Sequence, residues 1–217
     1  VVHDTRRFSI SLAADGFDGG PNTSHTRENV IEYNDVSHGN TDSQDTALIY
    51  HWGFVWRNVI RYNRVHDSPQ KFNAFGIYLD DWGYETTVEN NVACNLGNDG
   101  GFLRGVISVN GVGHRILNNV FKNNIVRTPA TWASNPPTLG AARLANGNGP
   151  HSSHTFERNI FFRTGEIEYT AMPFEASELV SVDHNLYWGH LSNQFVHLSR
   201  SNQPGASSLT FNEWQQL

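Results

Sequence analysis

The sequence is poor in lysine and cysteine and has no long apolar run, and each shortage excludes a class of protein. Lysine occurs twice in 217 residues, at Lys71 and Lys122, and the formal net charge is −6. Such a chain lacks the basic surface with which proteins hold nucleic acid or an anionic membrane. No apolar stretch approaches the roughly 20 residues that a membrane-spanning helix needs. We therefore expect neither nucleic acid nor a membrane as a partner.

The single cysteine, Cys94, excludes an intrachain disulfide framework and leaves the compartment open. The length suits one domain over residues 1–217. Long helices are not expected, because the chain is rich in asparagine, glycine and aromatic residues and poor in alanine and lysine. This composition favours many short strands joined by turns.

A repeat of about 28 residues organises the chain. The segment "NVIEYNDVSH" (29–38) recurs as "NVIRYNRVHD" (58–67) and, more loosely, four further times. The asparagines that mark the repeats are Asn34, Asn63, Asn91, Asn119, Asn159 and Asn185. Their separations are 29, 28, 28, 40 and 26 residues. The longest interval predicts one long loop insertion near 127–153, because it is rich in proline, glycine and asparagine.

A second motif lies between the asparagines, as in "ALIYHWG" (47–53) and "FGIYLDDWG" (75–83). Each unit therefore holds two or three short strands and cannot bury a face alone, so the units must stack. We predict an all-β right-handed parallel β-helix, a solenoid of about seven coils. Val1 begins partway through a unit, so the first coil is expected to be incomplete. The repeated asparagines are expected to stack as a hydrogen-bonded ladder at one inward corner.

Stacking would bring the second motifs side by side on one sheet. With Ile77 and Leu79 inward, Tyr78 and Asp80 point outward. On that outward face we expect Ile49 and His51 from the preceding coil. The residues expected there from the other neighbouring coils are Ser11, Ala13, Ile107 and Val109. A polar and aromatic strip would follow just past the strand ends.

The adjacent acids Asp80 and Asp81 allow three interpretations. Paired with Asp45 on the preceding coil, either could supply the two carboxyls of glycosidic cleavage, about 5 Å apart for retention or 6.5–9.5 Å for inversion. Alternatively, the acids bind sugar hydroxyls or bond to turn amides before Gly83. His51 could tune an acid or contact the ligand.

The aromatic residues near these turns are candidates for sugar binding, since an indole offers a flat apolar face and an N–H donor. The alternative is that they only pack on one another. The full set of predicted ligand-binding residues is His51, Trp52, Trp56, Asp80, Asp81, Trp82, Tyr84, Arg104 and Asn110. Arg104 would suit an acidic substituent. No metal site and no cofactor are predicted, with calcium at Asp80, Asp81 or Asp99 as the alternative.

These segments carry a resemblance. The pattern "NVIEYNDVSH…DTALIYHWG…NVIRYNRVHDS…GIYLDDWG…TVENNV" is similar to that of bacterial right-handed β-helix proteins acting on plant polysaccharides. It resembles in particular the β-helix glycoside hydrolases of family 141, which include xylanase and fucosidase activities. The resemblance covers roughly residues 1–125 and places the family's acids on Asp45 and on Asp80 or Asp81. Such proteins are secreted, so the resemblance implies an extracellular location.

The chain departs from that pattern in two places. Thr46 and Ala47 stand where small glycines would follow the first acid, and the expected glycine-rich, arginine-ended turn reads "NGVGHR" (110–115). A shortened groove is adequate for gripping a chain but poor for chemistry. We therefore expect a non-catalytic xylan-binding module, similar to carbohydrate-binding module family 89 and fused to a catalytic glycoside hydrolase domain. A glycoside hydrolase using Asp45 with Asp80 or Asp81, and a purely structural solenoid, are the alternatives.

Overall fold

The computed structural model describes residues 1–14, 26–43, 45–68, 74–96, 104–111, 116–128, 142–146, 151–152, 154–163, 179–188, 196–198, 207–209, 212 and 216. These residues are almost entirely strand and turn, and the strands are numbered β1 to β25 in chain order. Within the described part of the chain, no helix is long and apolar enough to cross a membrane.

Most of the strands form four parallel sheets, here called A to D. In spatial order, sheet A contains β1 (Val2–His3), β5 (Asp35–Ser37), β9 (Arg64–Ser68), β13 (Val92–Leu96), β17 (Ile125–Thr128), β21 (Ile160–Arg163) and β23 (Leu186–Trp188). Sheet B contains β18 (Ala142–Asn146), β14 (Arg104–Gly111), β10 (Ala74–Leu79), β6 (Thr46–Trp52) and β2 (Ile10–Ala13). The strands of sheet B are the longest.

Two shorter-stranded sheets complete each repeat. Sheet C contains β19 (His151–Ser152), β15 (Ile116–Leu117), β11 (Gly83–Tyr84), β7 (Val55–Trp56) and β3 (Thr26–Arg27). Sheet D contains β22 (Leu179–Asp183), β20 (His154–Glu157), β16 (Val120–Lys122), β12 (Thr87–Glu89), β8 (Val59–Arg61) and β4 (Val30–Glu32). Near the end of the chain, β24 (Val196–Leu198) and β25 (Ser207–Leu209) form an antiparallel pair.

Consecutive strands enter sheets A, B, C and D in turn from β1 to β20. Each of β1 to β17 therefore pairs in parallel with the strand four places later in the chain, as the repeat predicts. The prediction of a single loop over 127–153 is wrong, because β18 pairs with β14 and β19 pairs with β15 inside that segment. The segment "ARLAN" (142–146) extends sheet B although it lacks the aromatic motif of the earlier units.

Alternation of side chains builds the core. In sheets A and D one apolar residue near the start or middle of most strands points inward and is buried. These residues are Val36, Val65, Ala93, Val126 and Phe161 in sheet A, and Ile31, Ile60, Val88, Phe121 and Phe156 in sheet D. Phe121 and Phe156 stack with ring centroids 4.7 Å apart. Apolar residues from successive repeats thus contact one another laterally, which no single repeat could achieve.

The predicted asparagine ladder forms at the corner between sheets D and A. Its members are Asn34, Asn63, Asn91, Asn124, Asn159 and Asn185. Each Nδ2 donates to the Oδ1 of the next asparagine at 3.0–3.1 Å. Each of these Oδ1 atoms also accepts the backbone N–H of the preceding asparagine. The assignment of Asn119 to this row is wrong, since Asn124 occupies its place.

A second row lies at the corner between sheets C and D and contains Asn29, Asn58, Thr86, Asn119 and His154. In both rows the residue that precedes the inward side chain has a positive φ, for example 54° at Tyr62 and 51° at Arg57. A left-handed residue reverses the chain direction sharply, so the following side chain points into the interior. The two corners are built by the same local geometry.

Opposite charges follow one outward row of sheet D. Arg61 pairs with Glu32 at 2.7 Å, and Lys122 pairs with Glu89 at 2.9 Å. The strand register places these residues directly opposite one another, with Glu89 between Arg61 and Lys122. Lateral pairs of opposite charge favour this register over one shifted by a residue, which would turn them inward.

Candidate functional site

The outward face of sheet B holds the first part of the candidate site, in a register that differs from the predicted one. Tyr78 pairs with Tyr50 and Leu79 pairs with His51. Ile49 and His51 are therefore in the inward rows, and the expectation that they face outward is wrong. The same correction applies to Ile107 and Val109, which pair with Ile77 and Leu79. Ser11 and Ala13 are exposed as expected, but their partners are Tyr50 and Trp52.

His51 is a core residue and not a ligand-binding residue. It is completely buried, and its Nε2 lies 3.1 Å from Thr86 Oγ1 and 3.3 Å from Asn58 Nδ2. Burial lowers the pKa of His51 to about 3, so the ring is neutral at physiological pH. In an all-asparagine row the Asn58 amide would donate to the side-chain carbonyl of the next residue, but that residue is Thr86, which has none. The neutral Nε2 of His51 accepts the amide proton of Asn58 instead. His51 thus completes the second inward row where its asparagine is missing.

The centre of the face is a pair formed by Tyr50 and Asp80. The Tyr50 hydroxyl donates to Asp80 Oδ2 at 2.7 Å, and both residues are buried. Burial raises the pKa of Tyr50 well above its ordinary value, and the negative charge of Asp80 raises it further. The hydroxyl therefore stays protonated and remains a donor. A hydrogen bond to a carboxylate is short and strong. The bond fixes the direction of the Asp80 carboxylate.

Aromatic rings surround this pair. Phe8 stacks on Tyr50 with centroids 4.2 Å apart, and Tyr78 meets Tyr50 edge-on at 5.4 Å. Phe75 and Tyr78 are also in contact, at 4.2 Å, although they are three residues apart in β10. Residues three apart lie on opposite faces of a regular strand, so alternation is broken between them. Trp52 packs against the same cluster and is partly buried.

Asp45 lies at the other end of sheet B from Asp80. It directly precedes β6, whereas Asp80 directly follows β10 beside the end of β6. Seven residues of straight strand would separate these positions by roughly 23 Å along the sheet. The two charges nevertheless interact. Partial burial is the larger cause of a raised pKa at Asp45, and the negative charge of Asp80 raises this pKa further, whereas the positive charge of Arg7 lowers it.

A strip of aromatic residues continues past the strand ends onto sheet C, and we call Phe54, Trp56, Trp82 and Tyr84 the aromatic strip. Phe54 and Trp82 stack at 5.1 Å with an interplanar angle of 15°. Trp56 and Tyr84 lie 5.1 Å apart at 34°. All four side chains remain half-buried. The predicted Trp56, Trp82 and Tyr84 are thus brought together, and the sequence interpretation missed Phe54.

The turn before the strip depends on one glycine. Gly53 has a φ of +81°, and a Cβ at this position would lie 2.5 Å from the carbonyl oxygen of Ala14. Its N–H donates to the Asp81 carbonyl at 3.0 Å. Gly53 therefore lets successive repeats approach closely where sheet B turns into sheet C. Asp81 and Trp82 follow this turn in the next repeat and are both half-buried.

Two further predicted residues are placed by register alone. Asn110 follows Val109, the partner of Leu79, so it lies beside Asp80 in the next strand. Arg104 pairs with Ala74 at the opposite end of sheet B, away from Asp80. The side chains of both residues, and the whole of Asp99, lie outside the described part of the structure.

A charged cluster on the outward face of sheet A was missed at the sequence level. His66 lies 2.7 Å from both Asp35 Oδ1 and Asp67 Oδ2, one carboxylate at each ring nitrogen. The hydrogen bond from His66 lowers the pKa of each carboxyl. Ser37 pairs with His66 in the sheet, but both nitrogens already have partners. This cluster joins adjacent strands and is not arranged to activate a serine.

Metal binding finds no support among the residues that the structure describes, where no group of three or more His, Cys, Asp or Glu side chains could hold an ion. Comparison with family models, with curated proteins and with solved structures finds no match to the chain. The assignment of function therefore depends on the geometry of the aromatic strip and of the Tyr50–Asp80 pair.

Proposed function

We propose that the chain is a right-handed parallel β-helix of about seven coils that acts as a non-catalytic carbohydrate-binding module. The aromatic strip beside the Tyr50–Asp80 pair is the observation that carries this proposal. The ligand is a plant cell-wall polysaccharide, with xylan as the first candidate. In keeping with the sequence resemblance, the module is extracellular and joined to a glycoside hydrolase domain.

The strip supplies the apolar part of such a site. A sugar ring presents C–H groups on its faces, and these pack on an exposed aromatic surface. The half-buried rings of Trp56, Trp82 and Tyr84 offer such a surface across two neighbouring repeats. Because the rings also support one another, they lose little side-chain freedom when a ligand binds. This preorganisation favours recognition of an extended chain.

The polar part of the site lies next to the strip. Asp81 is half-buried at the turn, and Asn110 follows in the neighbouring strand. A carboxylate accepts hydrogen bonds from sugar hydroxyls, and a side-chain amide both accepts and donates them. The hydrogen bond from Tyr50 holds the Asp80 carboxylate in a fixed direction at this edge of the site. A shallow, hydrated groove loses much of its contact energy to desolvation, so we expect a dissociation constant of about 10–100 µM.

A glycoside hydrolase is the second candidate, and the coupling of Asp45 to Asp80 favours it. A carboxyl with a raised pKa suits the general acid, and a carboxylate held by a tyrosine suits the base or nucleophile. Asp81 is the alternative partner of Asp45. The position of the two acids near opposite ends of sheet B weighs against this candidate, since cleavage needs both carboxyls at one glycosidic bond.

Binding and reducing-sugar release on one polysaccharide panel separate the candidates. We expect retention on xylan without product, and a roughly tenfold rise in the dissociation constant for Trp82→Ala, the loss of one stacked ring. Trp188→Ala is the matched control, because Trp188 is an exposed indole on sheet A and its loss should leave binding unchanged. Product that disappears in Asp80→Asn and Asp45→Asn would establish the hydrolase. Absence of binding to every glycan would overturn the proposed function.

A further inference from the structure

An outward row of side chains runs along the corner between sheets D and A, and the strands of sheet D separate it from the aromatic strip on sheet C. Each member directly precedes an asparagine of the complete inward ladder. The row consists of Tyr33, Tyr62, Asn90, Asn123, Arg158 and His184, which have φ values of 54–56°. Successive members come from successive strands, so they are spaced about 4.8 Å apart. Along the stacking direction the row therefore runs from two aromatic residues through two amides to two basic residues.

Its first two members form an aromatic platform. The rings of Tyr33 and Tyr62 stack with centroids 5.1 Å apart and an interplanar angle of 8°. Tyr33 is 73% exposed and Tyr62 is 45% exposed. The pair therefore contributes little to the buried core, although it lies on the most regular part of the fold.

The left-handed backbone of this row suits the two tyrosines less well than it suits Asn90 and Asn123. A left-handed conformation is unfavourable for most L-residues, and asparagine tolerates it better than tyrosine does. Asn90 and Asn123 hold the same place in the next two repeats. Neither the corner geometry nor the ladder behind it thus requires an aromatic side chain.

One side of the platform faces the amides. Arg61 lies against the platform, with its guanidinium carbon 5.8 Å from the centroid of the Tyr62 ring, and its Nε donates to Glu32 at 2.7 Å. On the opposite side, the row continues from Tyr62 to Asn90 and Asn123, which have short side chains. Neither side-chain amide has a hydrogen-bond partner among the residues that the structure describes. A ring stacked on Tyr62 would therefore lie above two available amides.

The remaining members decide the charge of the ligand. Arg158 lies 3.6 Å from Glu157, and His184 lies 2.9 Å from Asp183. Both side chains have acidic neighbours of their own, so the row offers an acidic ligand group no basic side chain without an acidic partner. A neutral ligand is favoured.

From this row we infer that the chain has a second, independent glycan-binding site, formed by Tyr33, Tyr62, Asn90 and Asn123. A neutral sugar ring stacks on the tyrosines, and its hydroxyl groups bond to the two amides. The inference rests on the proposed carbohydrate-binding function and extends it to a chain with two sites on different corners. An extended polysaccharide would then bind more tightly than a short oligosaccharide, because it can contact both sites on one or on neighbouring molecules.

The test is calorimetric titration with short soluble xylo-oligosaccharides. We expect two sites per chain in the unaltered protein and one in Tyr33→Asn/Tyr62→Asn. Asparagine is the substitute because the row already carries it at positions 90 and 123, so the melting temperature should be unchanged or raised. Trp82→Ala should likewise leave one site, and the combination of all three substitutions should leave none.

The outcomes are distinguishable. One site in the unaltered protein, lost in Trp82→Ala and unaffected by the tyrosine substitutions, would overturn the second site and leave the proposed function intact. No heat of binding and no retention on any glycan would overturn both. Asn90→Gly sharpens the test: glycine tolerates the positive φ of this position, so loss of one amide should weaken the site that survives in Trp82→Ala, and unchanged binding would contradict the assigned geometry.

Discussion

The two inward corner rows differ in completeness, although the same backbone geometry builds both. Between sheets D and A, six asparagines bond in sequence, each accepting from its predecessor through one Oδ1. Between sheets C and D, the row begins with Asn29 and Asn58 and then reaches Thr86, which has no carbonyl to continue it. His51 from sheet B takes over as acceptor.

This difference shows what a missing hydrogen-bonding group costs inside a stacked fold. A buried amide without an acceptor loses more free energy than an ordinary hydrogen bond contributes. In the interrupted row, His51 Nε2 serves as the acceptor for the Asn58 amide. The other ring nitrogen of His51, Nδ1, is then buried as well and has no partner among the described residues. One repaired hydrogen bond thus leaves another polar atom unsatisfied.

Removing a central member of the complete row should have the largest effect. Asn91 accepts two hydrogen bonds from Asn63 and donates to Ile60 and Asn124. Asn91→Ala leaves these buried partners unsatisfied, so we expect the free energy of unfolding to fall by about 3–5 kcal/mol. Urea unfolding followed by circular dichroism measures the loss.

Asn34→Ala is the matched control for this prediction. Asn34 is the first described member of the row and is only half-buried. Its side chain donates to Asn63 and to Glu32, so its loss should cost about 1 kcal/mol. Equal losses for the two variants would show that the ladder is not the source of stability.

The interrupted row should make stability depend on pH. The pKa of His51 is about 3 in the folded protein and about 6.5 in an unfolded chain. Between these values the unfolded chain binds the additional proton, so lowering the pH favours unfolding, by up to about 1.4 kcal/mol per pH unit. From pH 7 to pH 5 we expect a loss of about 2 kcal/mol.

His51→Leu isolates this contribution, because leucine already occupies the same inward row at Leu12 and Leu79. The variant should be less sensitive to pH than the unaltered protein between pH 7 and pH 5. Unfolding curves at both pH values measure the difference. Identical pH dependence in the two proteins would place His51 outside the buried core.

The smallest effect should come from restoring the regular row. Thr86→Asn supplies the missing Oδ1, but His51 already occupies that position, so the single substitution should be neutral or destabilising. Combined with His51→Leu, it should recover stability, with a favourable coupling of about 1 kcal/mol in a double-mutant cycle. If the effects of Thr86→Asn and His51→Leu on the free energy of unfolding were simply additive, the side chain introduced at position 86 would not replace His51 as the acceptor for Asn58.

The same comparison explains which predictions failed. Within each repeat the two rows lie five residues apart and carry the same local signal, a left-handed residue followed by an inward polar one. In "LNNVFKNN" (117–124) both Asn119 and Asn124 fit that signal, so spacing alone could not assign them. The inward orientation of His51 was missed for a related reason. A one-residue change of register reverses the face of every side chain in a strand.

Three of the aromatic residues singled out by the sequence lie close together, because their signal is local. Tryptophan and tyrosine beside turns near Gly53 and Gly83 remain at the surface in a stacked arrangement, and Trp56, Trp82 and Tyr84 all contact other rings of the aromatic strip. Tyr50 was missed as the partner of Asp80. Their contact joins residues 30 positions apart, and it depends on which strand face each occupies.

The sequence by itself determined the period, the parallel pairing of equivalent strands and the kind of side chain at each corner, because a repeated unit can bury its apolar residues only against its own copies. Only the tertiary structure decided which asparagines form each row, that His51 points inward and that Tyr33 and Tyr62 share a surface. Those outcomes depend on lateral register between strands about 30 residues apart. Hydrogen bonds and packing across the whole stack fix that register, and no single repeat contains them.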